Sequence, residues 1–337
     1  MEIMRLSVAL AIALLALGSA AHAQTHGVAV QVSGGKRVPT VGQLRTVLKP
    51  GDFVRDVLGW HRVDKRCNLR ADPTAPITIP APSVALYANV QAAGGKNFVT
   101  LAFNNKSCGQ SANGGGAAFP DNPLLIAEFA AYAAAVAKQV PALGGISIWN
   151  ELNGTWKGGY KNDADKLANY CRLSNAVIAA VRKVKPKLPI AIGATVGSNV
   201  SGWFIDMFDT YGCIGKGDPT IWLDVHPYLS DKFDNVQHKN DWTLWNEAVS
   251  RIRADGITNP LAATEWGAKS YFTWQSAHPG GNYVRTFLDR VTAQESNWAT
   301  FIWFEMLYDK GMPNAGLFNR AGELTPAGVQ YVAELHR

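Results

Sequence analysis

Eight short apolar runs, ending 24 to 48 residues apart, constrain this chain more than any other feature of it. They end near Gln31, Arg55, Phe103, Glu151, Ala194, His226, Glu265 and Trp303. All but the first interval leave room for a helix and two loops, and helical patterns lie in the gaps. Asp121-Asn-Pro123 supplies a cap and a first-turn proline. Leu125, Phe129, Tyr132 and Val136 then recur on one helical face. A second stripe, Leu167, Cys171, Ser174, Ile178 and Val181, stops before Pro186. Further helices fit Trp203–Tyr211, Leu244–Ala254, Tyr283–Thr292 and Pro326–Leu335. Short apolar strands alternating with helices specify an α/β fold with a parallel sheet. Eight such repeats in 337 residues match a single-domain (β/α)8 TIM barrel better than an open doubly wound sheet. Ser33-Gly-Gly-Lys36, after the first strand, lacks the G-x-G-x-x-G spacing of a dinucleotide site. Gly114–Gly116 punctuates one long loop.

The N-terminus has a different character. Met1 to Arg5 is weakly positive, Leu6 to Leu17 is nearly all apolar, and Ala21-His22-Ala23 fits a small-x-small cleavage site. We expect residues 1–23 to be a signal peptide cleaved after Ala23. The mature catalytic domain is then 24–337, secreted or periplasmic. The apolar run is short for a bilayer, and no later segment is long and apolar enough to span one. The net charge is +6, but charged residues make up only 17% of the chain. The densest basic stretch, Arg182-Lys183-Val184-Lys185-Pro186-Lys187, sits at a helix C-terminus, where cations suit the macrodipole. No nucleic-acid partner is expected, and the expected state is a monomer.

Four cysteines in an exported chain permit two disulfides in three pairings. Cys67 and Cys108 fall in the loops after strands two and three, neighbours on one face of a barrel. Cys171 lies on the helix after strand four and Cys213 just beyond the helix after strand five. The expected bonds are therefore Cys67–Cys108 and Cys171–Cys213.

Such barrels carry their active sites at the C-terminal ends of the strands. Polar and aromatic residues concentrate there: Arg55, Asn104, Asn150, Glu151, His226, Tyr228, Glu265 and Trp303. Two of the apolar runs deliver a glutamate, Gly145-Ile-Ser-Ile-Trp-Asn-Glu151 and Pro260-Leu-Ala-Ala-Thr-Glu265-Trp266. Two carboxylates brought to one mouth can divide acid and nucleophile roles, which hydrolysis of a glycosidic bond needs. Trp245-Asn246-Glu247 repeats the tripeptide Trp149-Asn150-Glu151 inside a helical pattern with no preceding strand, so Glu247 reads as a solvated helix residue. No H-E-x-x-H, zinc-like Cys/His spacing or G-x-S-x-G elbow occurs. Neither a metal nor another cofactor is expected.

Trp149-Asn150-Glu151 with Glu265 resembles the clan A glycoside hydrolases, most like families 39 and 5. The likeness extends to Phe53-Val-Arg-Asp56, His226-Pro-Tyr228, Thr264-Glu265-Trp266-Gly267 and the tryptophan of Phe301-Ile-Trp303. It spans most of the mature chain as topology and some twenty residues as motif. Leu152 departs from it, because many members have proline there. The resemblance implies a retaining β-glycosidase with Glu151 as acid/base and Glu265 as nucleophile. Burial and the charge of Glu265 are expected to keep Glu151 protonated. Arg55 and Tyr228 are expected to hold Glu265 anionic, although Arg55 equally suits an ion pair with Asp56 or Asp224. Asn150 is the candidate for the sugar 2-hydroxyl. His226 is a further substrate contact or a satisfied core histidine.

The expected substrate is a polysaccharide or oligosaccharide, cut internally. Trp60, Trp156, Trp266, Trp274 and Trp303 lie at or after strand ends, where aromatic faces pack on sugar C–H faces. Trp303 is the candidate platform beneath the reacting ring. The rival readings are an inactive carbohydrate-binding barrel and a transglycosylase using the same site.

Overall fold

The computed structural model describes residues 24–32, 35–110, 120–153, 162–229, 241–267, 275–276, 278–307 and 316–337. The expected signal segment, Trp156, Trp274 and Gly114–Gly116 lie outside them. Eight parallel strands pair in chain order and close on themselves, β8 against β1. They are β1 Thr25–Ala29, β2 Phe53–Gly59, β3 Lys96–Ala102, β4 Leu143–Ile148, β5 Ile190–Val196, β6 Ile221–His226, β7 Leu261–Gly267 and β8 Trp298–Phe304. The helices between them are α1 Val41–Val47, α2 Ala81–Ala92, α3 Pro123–Gln139, α4 Asp163–Val184, α5 Ser201–Ile205, α6 Asp241–Ala254, α7 Tyr283–Gln294 and α8 Pro326–Leu335. The fold is the (β/α)8 barrel that the spacing of apolar runs implies. Among the described residues no helix is long and apolar enough to cross a membrane.

Local chemistry sets the helix starts. The Asn122 side chain accepts from the backbone N–H of Leu125, with Pro123 in the first turn of α3. Asn162 caps α4 in the same way, with Asp163 and Asp165 in its first turn. The two sequence stripes are buried as expected, including Ser174, whose hydroxyl donates to the Cys171 carbonyl. Glu247 is exposed on α6. The helices α1 and α2 are not among those expected from the sequence.

Both cysteine pairs form, Cys67–Cys108 with Cα atoms 5.1 Å apart and Cys171–Cys213 with Cα atoms 4.6 Å apart. The first ties the loops after β2 and β3, and the second ties α4 to the segment beyond α5.

The barrel interior is layered. Phe53, Phe98 and Trp222 plug its N-terminal end, with Phe98 stacked on Trp222 at 6.3 Å. This plug depends on a glycine: a Cβ on Gly145 would lie 2.7 Å from the Phe98 ring. Residues two apart on a strand share a face. The next inward positions on those three strands are Arg55, Thr100 and Asp224, all 0–1% exposed. An aromatic floor thus carries a polar layer, and the mouth lies above it.

Candidate active site

Arg55 lies inside β2 and not after it, where the apolar pattern places it. The strand runs on to Gly59, because Val57 and Leu58 continue the buried β-forming pattern. The side chain therefore projects into the barrel. Its Nε donates to the Thr100 hydroxyl at 2.8 Å, its Nη1 to Glu265 Oε1 at 2.6 Å, and its Nη2 to Asn150 Oδ1 at 2.9 Å. The Arg55–Glu265 pair settles which ion pair Arg55 makes. Tyr228 donates its hydroxyl to the other oxygen, Glu265 Oε2, at 2.9 Å. Burial alone would raise the Glu265 carboxyl, but the charges of His226 and Arg55 and the two donors hold it below the usual value. Burial, with the adjacent Glu265, pushes the Tyr228 phenol well above its ordinary range, so it remains a donor.

Glu151 stands in a different setting. It lies three residues past β4, on backbone with φ 47°, and Trp149 has φ 72°. Such conformations cost about 1–3 kcal/mol each for residues with a side chain and concentrate at functional sites. The following segment is pinned to β5. The Leu152 N–H donates to the Ala194 carbonyl at 2.9 Å, and Asn153 bonds both the N–H and the carbonyl of Val196. A proline at 152 would have no N–H for that bond, which gives the departure at Leu152 a physical basis. The Glu151 side chain is 24% exposed, so the expected burial is absent. It meets His226, with Nδ1 3.2 Å from Glu151 Oε1.

His226 is fully buried at the end of β6 and links the two carboxyls, its Nδ1 also lying 3.6 Å from Glu265 Oε2. Burial would lower its imidazole, but Glu265, Glu151 and Asp224 outweigh that and raise it above its ordinary value. Its Nε2 lies 3.1 Å from the Thr264 hydroxyl. Thr264 donates to Asp224 Oδ1, and Ser147 donates to Asp224 Oδ2. Burial raises the Asp224 carboxyl despite the opposing charges of His226 and Arg55 and the two hydroxyls.

One oxygen each of Glu151 and Glu265 and one nitrogen of His226 lie within 4.8 Å of one another. Such a trio has the donor set for a metal ion. Here, however, one Glu265 oxygen already faces a guanidinium and the other a phenol. Those two donors take one lone pair of each Glu265 oxygen.

Six of the candidate residues, Arg55, Asn150, Glu151, His226, Tyr228 and Glu265, thus form one connected cluster. Asn104 is buried two residues beyond β3. Trp303 is not at the site. It is fully buried between the sheet and the helices, its ring centroid 5.0 Å from Trp266, 6.5 Å from Tyr283 on α7 and 6.0 Å from Tyr331 on α8. Trp266, stacked at 4.2 Å on Phe287, and Trp60, against Phe129, are likewise packing residues. The reason is strand alternation: Glu265 faces inward, so Trp266 faces the helices. Gly267, with φ 107°, lets the chain pass where a Cβ would meet the Trp303 ring at 2.5 Å.

Two phenylalanines that are not among the candidates from the sequence stand at the mouth. Phe304, beside Trp303, is half-buried and packs on the barrel-interior cluster. Phe103, directly after β3, is 41% exposed, has φ 68°, and meets His61 edge-on at 6.2 Å. Alternation beyond Trp303 was the available signal for Phe304, whereas the strained φ of Phe103 had none.

No protein-family model matches the chain, and no curated protein matches it. Solved structures do. A family 39 glycoside hydrolase from the gut symbiont Bacteroides cellulosilyticus WH2 aligns with TM-score 0.64 and 18% identity, over 92% of this chain and 63% of that one. A monomeric β-xylosidase from Caulobacter crescentus CB15 aligns with TM-score 0.62 and 17% identity, over 92% and 67% of the two chains. A β-glucosidase from Exiguobacterium marinum aligns with TM-score 0.60 and 14% identity, over 93% and 97%. The chain spans under two thirds of the length of the Bacteroides protein. At these identities the likeness establishes the (β/α)8 fold shared with glycosidase barrels.

Proposed function

We propose that this chain is a glycoside hydrolase that cleaves O-glycosidic bonds with retention, Glu265 acting as nucleophile and Glu151 as acid/base. One observation carries the reading: two carboxyls meet at the barrel mouth in opposite environments. Glu265 is buried, ion-paired and doubly hydrogen-bonded. Glu151 is partly open to solvent and bonded to a histidine. One oxygen of each lies within 4.8 Å of one of the other, which fits the roughly 5–5.5 Å carboxyl spacing of retaining sites better than the roughly 6.5–9.5 Å that admits a water in inverting ones.

In the first step Glu151 protonates the departing oxygen, the glycosidic C–O bond breaks, and Glu265 bonds to the anomeric carbon. In the second Glu151 takes a proton from water, the water oxygen attacks, and Glu265 leaves as a carboxylate. Asn150, whose carbonyl oxygen is taken by Arg55, offers its N–H donors to the sugar 2-hydroxyl. Phe304 and Phe103 take over the platform role expected of Trp303, since sugar faces pack on accessible rings. Internal cleavage of a polysaccharide remains the proposed mode. The fold's resemblance to β-xylosidase and β-glucosidase barrels supports β-linked sugars as substrates.

The test is substitution with azide rescue. Glu151→Ala should retain its first step on aryl glycosides, whose leaving groups need little protonation, and lose roughly 10²–10⁴-fold on unactivated glycosides. Added azide should restore turnover and yield a β-glycosyl azide. Glu265→Ala should form no covalent intermediate, and any azide product should be α. Equal losses on both substrate classes, with no azide product from either variant, would refute the assignment.

A further inference from the structure

A buried chain of hydroxyl and carboxyl groups beneath the mouth has no part in the reaction just described. It runs from Ser147 through Asp224 and Thr264 to His226. All four residues are 0% exposed.

The Thr264 hydroxyl carries one hydrogen, and it points to Asp224 Oδ1. Its oxygen can then only accept from His226, so Nε2 of the ring must carry a proton. Asp224 faces hydroxyls on both oxygens and, although burial raises it, the charges of His226 and Arg55 and the two hydroxyls favour the carboxylate, which accepts from both. A neutral ring protonated at Nε2 has a bare lone pair at Nδ1. That lone pair faces Glu151 Oε1 at 3.2 Å and Glu265 Oε2 at 3.6 Å. Two bare acceptors at 3.2 Å repel, so one further proton must lie between Glu151 and His226. Glu265 does not hold it: Nδ1 lies 3.6 Å from its oxygen, beyond hydrogen-bond reach, and Arg55 and Tyr228 keep that carboxyl ionised.

We infer that Thr264 and Asp224 are positioning residues that lock His226 as its Nε2–H tautomer, so that Nδ1 and Glu151 share the proton delivered to the leaving group. The consequence for turnover rests on the hydrolase reading; the tautomer itself does not. The shared proton passes from Glu151 to the departing oxygen, leaving a neutral ring and a Glu151 carboxylate. In the second step water returns one proton to the same couple, so the count closes. Were the ring free to carry its proton on Nδ1, it would donate to a Glu151 carboxylate and the site would hold no proton to give. The charged groups that face the ring are Glu151 beyond β4, Glu265 on β7, Asp224 on β6 and Arg55 on β2. The three carboxylates favour its protonation, and the guanidinium opposes it.

The test has two readouts. Long-range ¹H–¹⁵N spectra of wild-type protein labelled in histidine report each tautomer, and His226 is identified by its loss in His226→Asn. The expected result is a protonated Nε2 and, at alkaline pH, a bare Nδ1. A ring protonated only at Nδ1 would overturn the inference whether or not the protein cleaves glycosides. Thr264→Val removes the hydroxyl. It should cost roughly 10- to 100-fold in kcat/KM on unactivated glycosides and much less on aryl glycosides. Its alkaline limb should move down by roughly half to one pH unit, and Thr264→Ser should restore both. Equal loss on both substrate classes, or an unmoved limb, would show a merely structural threonine. Absence of turnover in the wild type would sink the hydrolase reading while the tautomer measurement still decides the lock.

Discussion

Arg55 Nη1 lies 2.6 Å from Glu265 Oε1, and both side chains are nearly inaccessible, at 1% and 7% exposure. The guanidinium reaches that oxygen across the barrel interior from three strands away, with β1 and β8 between, while its second nitrogen holds Asn150. One cation thus fixes both the proposed nucleophile and the residue beside the proposed acid. Arg55→Lys should therefore not be conservative, since an ammonium cannot reproduce the planar fork. We expect a loss of roughly 10²-fold or more in kcat/KM, of the size seen when a fixed charge-stabilising donor is removed. The acid limb of the pH profile should rise, because Glu265 would lose part of what keeps it ionised.

The same pair predicts a pH-dependent stability. The folded-state value of the Glu265 carboxyl is depressed. Its contribution is therefore present above the unfolded value and is lost as pH falls through the folded one. Glu265→Gln leaves Arg55 buried without a countercharge, which costs about 3–5 kcal/mol at neutral pH. The gap between wild type and variant in denaturant melts should narrow as pH drops below the ordinary carboxylate range. A constant gap would show that the ion pair carries none of it.

The disulfides close loops of nearly equal length, with sequence separations of 41 and 42. The chain-entropy model then assigns each about 4 kcal/mol. Replacing either pair with alanines should lower stability by similar amounts. Activity should separate them: Cys67–Cys108 joins two loops at the mouth, and Cys171–Cys213 lies in the helical layer. At a temperature where both variants are folded, only the first should raise KM.

The aromatic residues give a contrast between neighbours. Trp303→Ala opens a cavity between sheet and helices and should cost about 3–5 kcal/mol of stability. Phe304→Ala and Phe103→Ala, at partly open positions, should cost less. They should instead raise KM for oligosaccharides, with less effect on aryl monoglycosides for Phe103. A Trp303 variant with weakened sugar binding and unchanged melting would reverse this assignment.

The sequence by itself determined the architecture. Eight apolar runs with helical stripes between them specify a parallel barrel because each buried strand leaves its mark in the local pattern. It also located both glutamates and both cysteine pairs, since a strand end or loop position around a closed barrel follows from chain order alone. Direction was harder to read. Trp303 and Phe304 are adjacent, and only the register of β8 decides which ring meets the helices and which meets the mouth. Leu152 departs from the motif in the sequence, and only the structure gives the reason, a bond from its N–H to the Ala194 carbonyl. The Asp224–Thr264–His226 chain was invisible for the same reason. Its members lie on two strands, 38 and 40 residues apart in the chain, and only the pairing of β6 with β7 brings their hydrogen-bonding groups within reach. Local sequence sets which residues are buried in a strand; the pairing of strands across space sets what each buried polar group touches, and the chemistry resides there.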